Sequence, residues 1–240
     1  LYARGALLFV RKPTSRETFI ALSEALVAFR ANLDAVDFML EDPQVADLCH
    51  ERYIGRPYTP RELIKYPPGS LGHELAAAML AHGYDPEFYR DFYGDGPPTF
   101  KNDEEYLRFR VRQTHDIVHV LTGFGMTEFP GELGMQAFNA AQTRRPFSIG
   151  LLGFGMIRIL LLPGELPRTI HQVAKGFAMG YAARALLGQR FEEDWAKPVE
   201  QWRRELGLVA EGSFEFHQDA IERRAGGTSK QPLEDAQRPC

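Results

Sequence analysis

Apolar residues along this chain recur at intervals of three and four, and no run alternates apolar and polar positions long enough to build a sheet. The pattern predicts an all-α protein. Phe19, Leu22, Leu26, Phe29 and Leu33 share one face of a helix that Ser15 caps and that runs to about Leu40. Asp42-Pro43 interrupts it, and a short helix over 45–53 follows. Pro60 opens another short helix through Leu63. Pro67-Pro68-Gly69 is a firm break, after which Ser70 caps a helix through Leu80, with Glu74 near capping-box spacing. Residues 83–102 form a long connection rich in glycine, proline and aromatics. Asn102 or Asp103 then caps one continuous helix to Thr122, and further helices are expected over 131–142, 147–162, 167–187 and 193–206. The last of these carries Trp195 and Trp202 two turns apart. The organisation expected is a basic segment 1–14, a single multi-helix domain 15–225 and a disordered tail 226–240 of glycine, serine, proline and charge.

Two of these helices have unusual surfaces. Residues 149–162 are apolar or glycine except for Arg158, a length too short to span a bilayer and suited to a core or an interface. The 167–187 helix places Gly176 and Gly180 one turn apart among alanines. Small residues there permit close helix packing or leave a groove. Together the two helices are expected to line an apolar channel for a long lipid.

Composition narrows the class. The chain has 240 residues, 44% hydrophobic and 25% charged, enough for one sizeable core. A net charge of −4 gives no reason to expect nucleic acid as a partner. Cys49 and Cys240 are the only cysteines, so no disulfide framework is expected and a reducing compartment is the default. The first sixteen residues carry Arg4, Arg11, Lys12 and Arg16 without an acid, read as a solvated basic end, with a targeting remnant or a membrane contact as alternatives.

The chemistry concentrates in His115-Asp116-Ile117-Val118-His119, followed after twelve residues by Glu132. Helix positions four apart lie on one face, with Cβ atoms about 5–6 Å apart. Two imidazoles so placed can converge on one cation. Asp116 lies about 100° round the helix, able to reach the same region or to orient a ligand. Gly123, Gly125, Pro130 and Gly131 end the helix, so Glu132 arrives from the next element and closes the site. Such a histidine pair also occurs as two packed side chains. Leu107, Val111, Val118 and Leu121 turn its face inward, however, where polar groups need partners. The spacing is that of the zincin H-E-x-x-H helix with Asp in place of Glu, one methylene shorter and a poorer base. Nitrogen and oxygen donors suit zinc first, with iron, manganese or cobalt as other choices.

Three blocks of sequence resemble a known family, the metal-motif proteins of ubiquinone (coenzyme Q) biosynthesis, fourth in the yeast coenzyme Q series. They are Pro68-Gly69-Ser70-Leu71-Gly72; the run from Arg110 to Gly123 that contains the histidines; and Phe191-Glu192-Glu193-Asp194-Trp195 leading to Arg204-Glu205-Leu206-Gly207. On the family's motif, His115, Asp116, His119 and Glu132 fall as metal ligands and catalytic residues, with one extra residue before the Gly131-Glu132 pair. The resemblance implies an all-α fold with a tunnel for a polyprenyl tail. It also implies oxidative decarboxylation of a prenylated hydroxybenzoate, the ring carboxyl giving way to hydroxyl. Arg110 and Arg112 match arginines of the motif helix, placed to offset a carboxylate or to lie on a solvated face. Expected partners are a polyprenylated quinone precursor, other proteins of the pathway, a second copy in a homodimer, and a membrane surface. The expected location is peripheral to the inner membrane, facing the bacterial cytoplasm or the mitochondrial matrix.

Two other classes compete. A non-catalytic prenyl-lipid scaffold would use a structural metal and organise the biosynthetic complex. A metal phosphohydrolase would need further His and Asp ligands, and His50, His73, His82, His171 and His217 show no such arrangement.

Overall fold

The computed structural model describes residues 30–83 and 98–208. Among them are ten α-helices and no strand: α1 (Ala31–Leu40), α2 (Pro43–Glu51), α3 (Pro60–Leu63), α4 (Leu71–His82), α5 (Asp103–Gln113), α6 (His115–Thr122), α7 (Phe129–Thr143), α8 (Pro146–Ile159), α9 (Leu166–Ala182) and α10 (Val199–Leu206). The fold is all-α, as the periodicity predicts. The segments 1–14 and 226–240, the helix expected before residue 30 and most of the 83–102 connection lie outside the described residues.

Side-chain caps set several starts. Asp42 accepts from the backbone N–H groups of Gln44 and Val45, and Pro43 opens α2. Thr59 and Glu62 form a reciprocal capping box on α3. Ser70 caps α4, while Glu74 accepts from the N–H of Gly69, one residue before the cap. Asn102, not Asp103, caps α5.

Three expected helices come out differently. The 103–122 helix breaks at Thr114, whose φ of −90° and ψ of −1° leave the helical basin. Its hydroxyl donates to the Arg110 carbonyl at 2.9 Å, a local bond that competes with the regular ladder. In consequence Leu107 packs with α1 and α2, whereas Val118 and Leu121 join the main core. The 193–206 helix begins only at Val199, because Pro198 has no N–H to continue a preceding turn. Trp195 therefore sits in a turn, although both tryptophans are buried. The 167–187 helix stops at Ala182, and the next residue is extended.

Helix α7 is the hub. Nearly every residue from Pro130 to Ala141 is buried, as expected of a helix packed on all sides. Helix α9 lies along it with its small residues inward. A Cβ on Gly176 would stand 2.0 Å from the Gly134 carbonyl oxygen, and one on Gly180 would stand 2.7 Å from that of Phe138. These glycines permit close backbone approach, so the face predicted to wall a lipid channel is a helix–helix contact. Helix α8 packs on α7 through Gly155 against Leu133 and buries only Ser148, Leu152, Gly155 and Ile159. Its outer side stays in solvent, with Ile149 and Ile157 more than half exposed.

The three sequence blocks meet in space. Gly72 donates to Trp195 and Leu71 to Lys197, both at 2.9 Å. Arg110 pairs with Glu192, and Arg203 donates to the Leu121 and Val120 carbonyls at the end of α6. Residues 191–207 are thus the surface on which the histidine helix is mounted.

Candidate metal centre

Helix α6 begins at His115 and ends where Gly123 takes a φ of +79°, a value glycine adopts without a Cβ penalty. Within it His115 and His119 are one turn apart, with ring centroids 4.8 Å apart and planes at 73°. The His119 Nδ1 lies 2.9 Å from the Phe124 carbonyl oxygen. That contact calls for a proton on Nδ1 and leaves Nε2 as the free donor to a cation. His119 is 2% exposed, and its Nε2 has no hydrogen-bond partner among the described residues. A buried orphan nitrogen of this kind asks for an explanation.

Glu132 supplies one. It sits in the first turn of α7, where the helix dipole favours a carboxylate. Its Oε1 lies 3.4 Å from His119 Nε2, in contact but without a hydrogen bond. Two ligands at about 2.0–2.1 Å from a tetrahedral ion stand about 3.4 Å apart. Ligand atoms of His115, His119 and Glu132 all lie within 4.8 Å of one another. The residues present therefore fit a divalent metal.

The loop ahead of Gly131 is where the extra residue before Glu132 is expected. That loop folds against the start of α7 so closely that a Cβ on Gly131 would stand 2.5 Å from the Gly125 carbonyl oxygen. Gly131→Ala should push the loop off and displace Glu132. It is expected to lower stability by about 1–3 kcal/mol and zinc affinity by about tenfold or more, read by thermal melting and zinc titration. Glu128, the other acid of the connection, is exposed and pairs with Arg168.

Two expected side chains lie outside the cluster. The Asp116 carboxylate is not in the three-residue cluster. One position round the helix, on a short stem, it acts instead through its charge on the histidines and on Tyr58. Arg110 faces neither solvent nor the cluster: it is fully buried against Glu192. Sequence reasoning missed the Phe124 carbonyl, because a backbone acceptor leaves no trace in residue identity. Pairing the second and third blocks would have found Glu192. Among the described residues, His50, His73, His82 and His171 stand outside the cluster, which gives no support to a phosphohydrolase.

The electrostatics separate the two histidines. Burial pushes His115 below its ordinary value, and the charge of His119 adds to the effect. Burial also opposes charge on His119, but the close Glu132 carboxylate and the Phe124 carbonyl outweigh it, and the net shift is upward. Glu132 shows the converse: burial favours its neutral form, but the two histidines prevail and hold it below the usual range. Of the two histidines, His119 is thus the one whose surroundings favour a proton. Metal must displace it, so affinity should fall as pH drops through the raised His119 value, above the ordinary value of about 6.5. The expected slope is about tenfold per pH unit, one proton exchanged per ion. Glu132→Gln should move the onset to lower pH by removing the group that raises His119. Chelator-competition titrations across neutral pH would check both.

Fold and site together define a class: a helical protein whose two histidines, from one helix, face a carboxylate in the first turn of another. The family model described as coenzyme Q (ubiquinone) biosynthesis protein Coq4 matches residues 2–211, and the chain belongs to that family. Similar curated proteins include the mitochondrial ubiquinone biosynthesis protein COQ4 homologs of Rattus norvegicus, 30% identical over 189 residues, and Homo sapiens, 29% identical over 227 residues. These alignments cover 72% and 88% of this chain; the chain spans 63% of the rat protein and 78% of the human one. A crystal structure from Nostoc punctiforme, provisionally described as a ubiquinone biosynthesis protein, superposes with a TM-score of 0.73 at 31% identity. It covers 85% of this chain and 95% of its own. Family membership gives the chain a role in ubiquinone biosynthesis.

Proposed function

We propose that the chain is a metal-dependent enzyme acting on a polyprenylated hydroxybenzoate, replacing its ring carboxyl with hydroxyl. The observation that carries this reading is the orphan His119 Nε2 facing Glu132 and His115 in a chain of this family. Three protein ligands rather than four leave a position for substrate, the pattern of a catalytic site. A divalent ion, zinc first among the candidates, would supply Lewis-acid polarisation of the substrate carboxylate or phenolate. His115, His119 and Glu132 would hold it. The Phe124 carbonyl fixes the tautomer of His119, and Asp116 adds negative charge behind the histidines. Overall the ring carbon–carboxyl bond breaks, carbon dioxide leaves and a ring carbon–oxygen bond forms, with an oxidant supplying the oxygen atom.

Peripheral membrane association belongs to the same reading. Leu160 and Leu161 are 79% and 66% exposed at the turn between α8 and α9, beside exposed Leu162, Leu166 and Ile157. This turn lies at the end of α7 that carries Glu132, since Arg158 stacks over Phe129 and Arg168 pairs with Glu128. A prenyl tail could then leave the site along apolar surface, each buried CH₂ contributing about 0.8 kcal/mol. No helix of the described residues is long and apolar enough to cross a membrane. The relatives' mitochondrial names fit the matrix face of the inner membrane, and a homodimer working with other pathway proteins is proposed alongside.

The exposed leucines equally favour a second reading, a non-catalytic scaffold that presents the prenylated intermediate to other enzymes. Purified protein loaded with zinc, iron, manganese or cobalt, given a prenylated hydroxybenzoate and dioxygen, should release carbon dioxide and form the ring-hydroxylated product. Tight substrate binding without turnover under every metal would favour the scaffold.

A further inference from the structure

Helix α6 is held at both ends by polar contacts, and the tighter hold lies next to His115. Arg110 and Glu192 have no exposed side-chain surface. Both guanidinium nitrogens of the Arg110 fork engage the two carboxylate oxygens of Glu192. One of them also donates to the Gln113 side chain at 2.7 Å, the other to the Gln189 carbonyl at 2.6 Å. Gln113 donates in turn to the Ile54 carbonyl at 2.5 Å. Gly55, with a φ of +67°, lies so close that a Cβ there would meet the Glu192 side chain at 2.7 Å. Thr114 completes the set by bonding back to Arg110. At the other end Arg203 donates to Leu121 and Val120.

Arg110, Gln113 and Thr114 are thus each committed to a fixed partner at the point where α5 ends and α6 begins. We propose that the Arg110–Glu192 pair is a positioning device for the metal centre. It fixes the direction in which α6 leaves the Thr114 break, and with it the convergence of His115 and His119 on Glu132. Neither residue belongs to the ligand cluster, so both act through α6. Stability alone does not call for such a pair, because apolar side chains of similar volume often serve as well or better. A planar, two-point fork adds orientation, which apolar packing specifies less sharply. The inference rests on the metal reading of His115, His119 and Glu132.

The test uses Co²⁺ as the probe, with three readouts: its dissociation constant, its visible absorption and the thermal midpoint of the metal-free protein. Arg110→Met with Glu192→Met should fold with a midpoint near the unaltered protein, yet bind Co²⁺ on the order of 10–100-fold more weakly, with a changed absorption band. Arg110→Lys keeps the charge but loses the fork, and should weaken Co²⁺ binding in the same direction while the protein is folded. If the double variant fails to fold, the lysine variant decides alone. Wild-type affinity and absorption in the folded variants would overturn this proposal and leave the metal reading intact. Failure of the unaltered protein to bind Co²⁺ would overturn both.

Discussion

His119→Ala is expected to abolish retention of a stoichiometric divalent ion through purification. Of the proposed ligands, His119 is the one whose environment offers its Nε2 nothing else: it is buried, its Nδ1 is engaged by the Phe124 carbonyl, and Glu132 lies 3.4 Å away. Loss of a neighbour that merely orients a ligand typically weakens a metal by about 10–100-fold, and loss of a direct ligand should exceed that. The variant also leaves the Phe124 carbonyl without its donor, at about 1–3 kcal/mol for a buried polar group left unsatisfied. Any bound metal widens the difference, because it stabilises only the native state. Elemental analysis and thermal melting with and without chelator would measure both effects. Stoichiometric metal in a His115→Ala, His119→Ala double variant would sink the metal centre altogether.

Gly176→Ala should have the second largest effect, and it acts on stability. The added Cβ would stand 2.0 Å from the Gly134 carbonyl oxygen and 2.9 Å from the Ala137 Cβ. Neither neighbour is the flexible end of a side chain, so α9 and α7 must part. Overpacking of this kind costs about 1–3 kcal/mol, occasionally more, and Gly176→Leu should cost more than Gly176→Ala. Urea unfolding should show a lower midpoint with little change in slope. The outcome separates two roles for the same glycine. A channel wall would accept leucine with its stability intact and lose only lipid binding. A helix–helix contact loses stability first, and a metal centre that depends on α7 loosens with it.

The contrast between these two residues shows where sequence is a sufficient guide. Asp42-Pro43, the Thr59–Glu62 pair and Ser70 act through atoms within a few residues of themselves, so their helix starts are legible in the chain. Spacing of four likewise places His115 and His119 on one face, whatever surrounds the helix. Gly176 is different. A small residue means close packing or open space depending on what lies opposite, and only the position of α7 answers that. Leu160 and Leu161 pose the same question, and the structure leaves them in solvent.

By itself, the sequence determined that this protein is helical, that His115 and His119 share one helix face, and that its motifs belong to a ubiquinone biosynthesis family. The first two follow from periodicity and short-range geometry, the third from the resemblance of the motifs. The tertiary structure alone decided that Glu132 rather than Glu128 meets His119, that Asp116 stays outside the cluster, and that Arg110 turns to Glu192. Each outcome depends on how separate elements pack, across as many as the 82 positions between Arg110 and Glu192. Burial, unlike helix periodicity, is a property of the packed whole: it makes those pairings obligatory, because a buried charge or donor must find a partner.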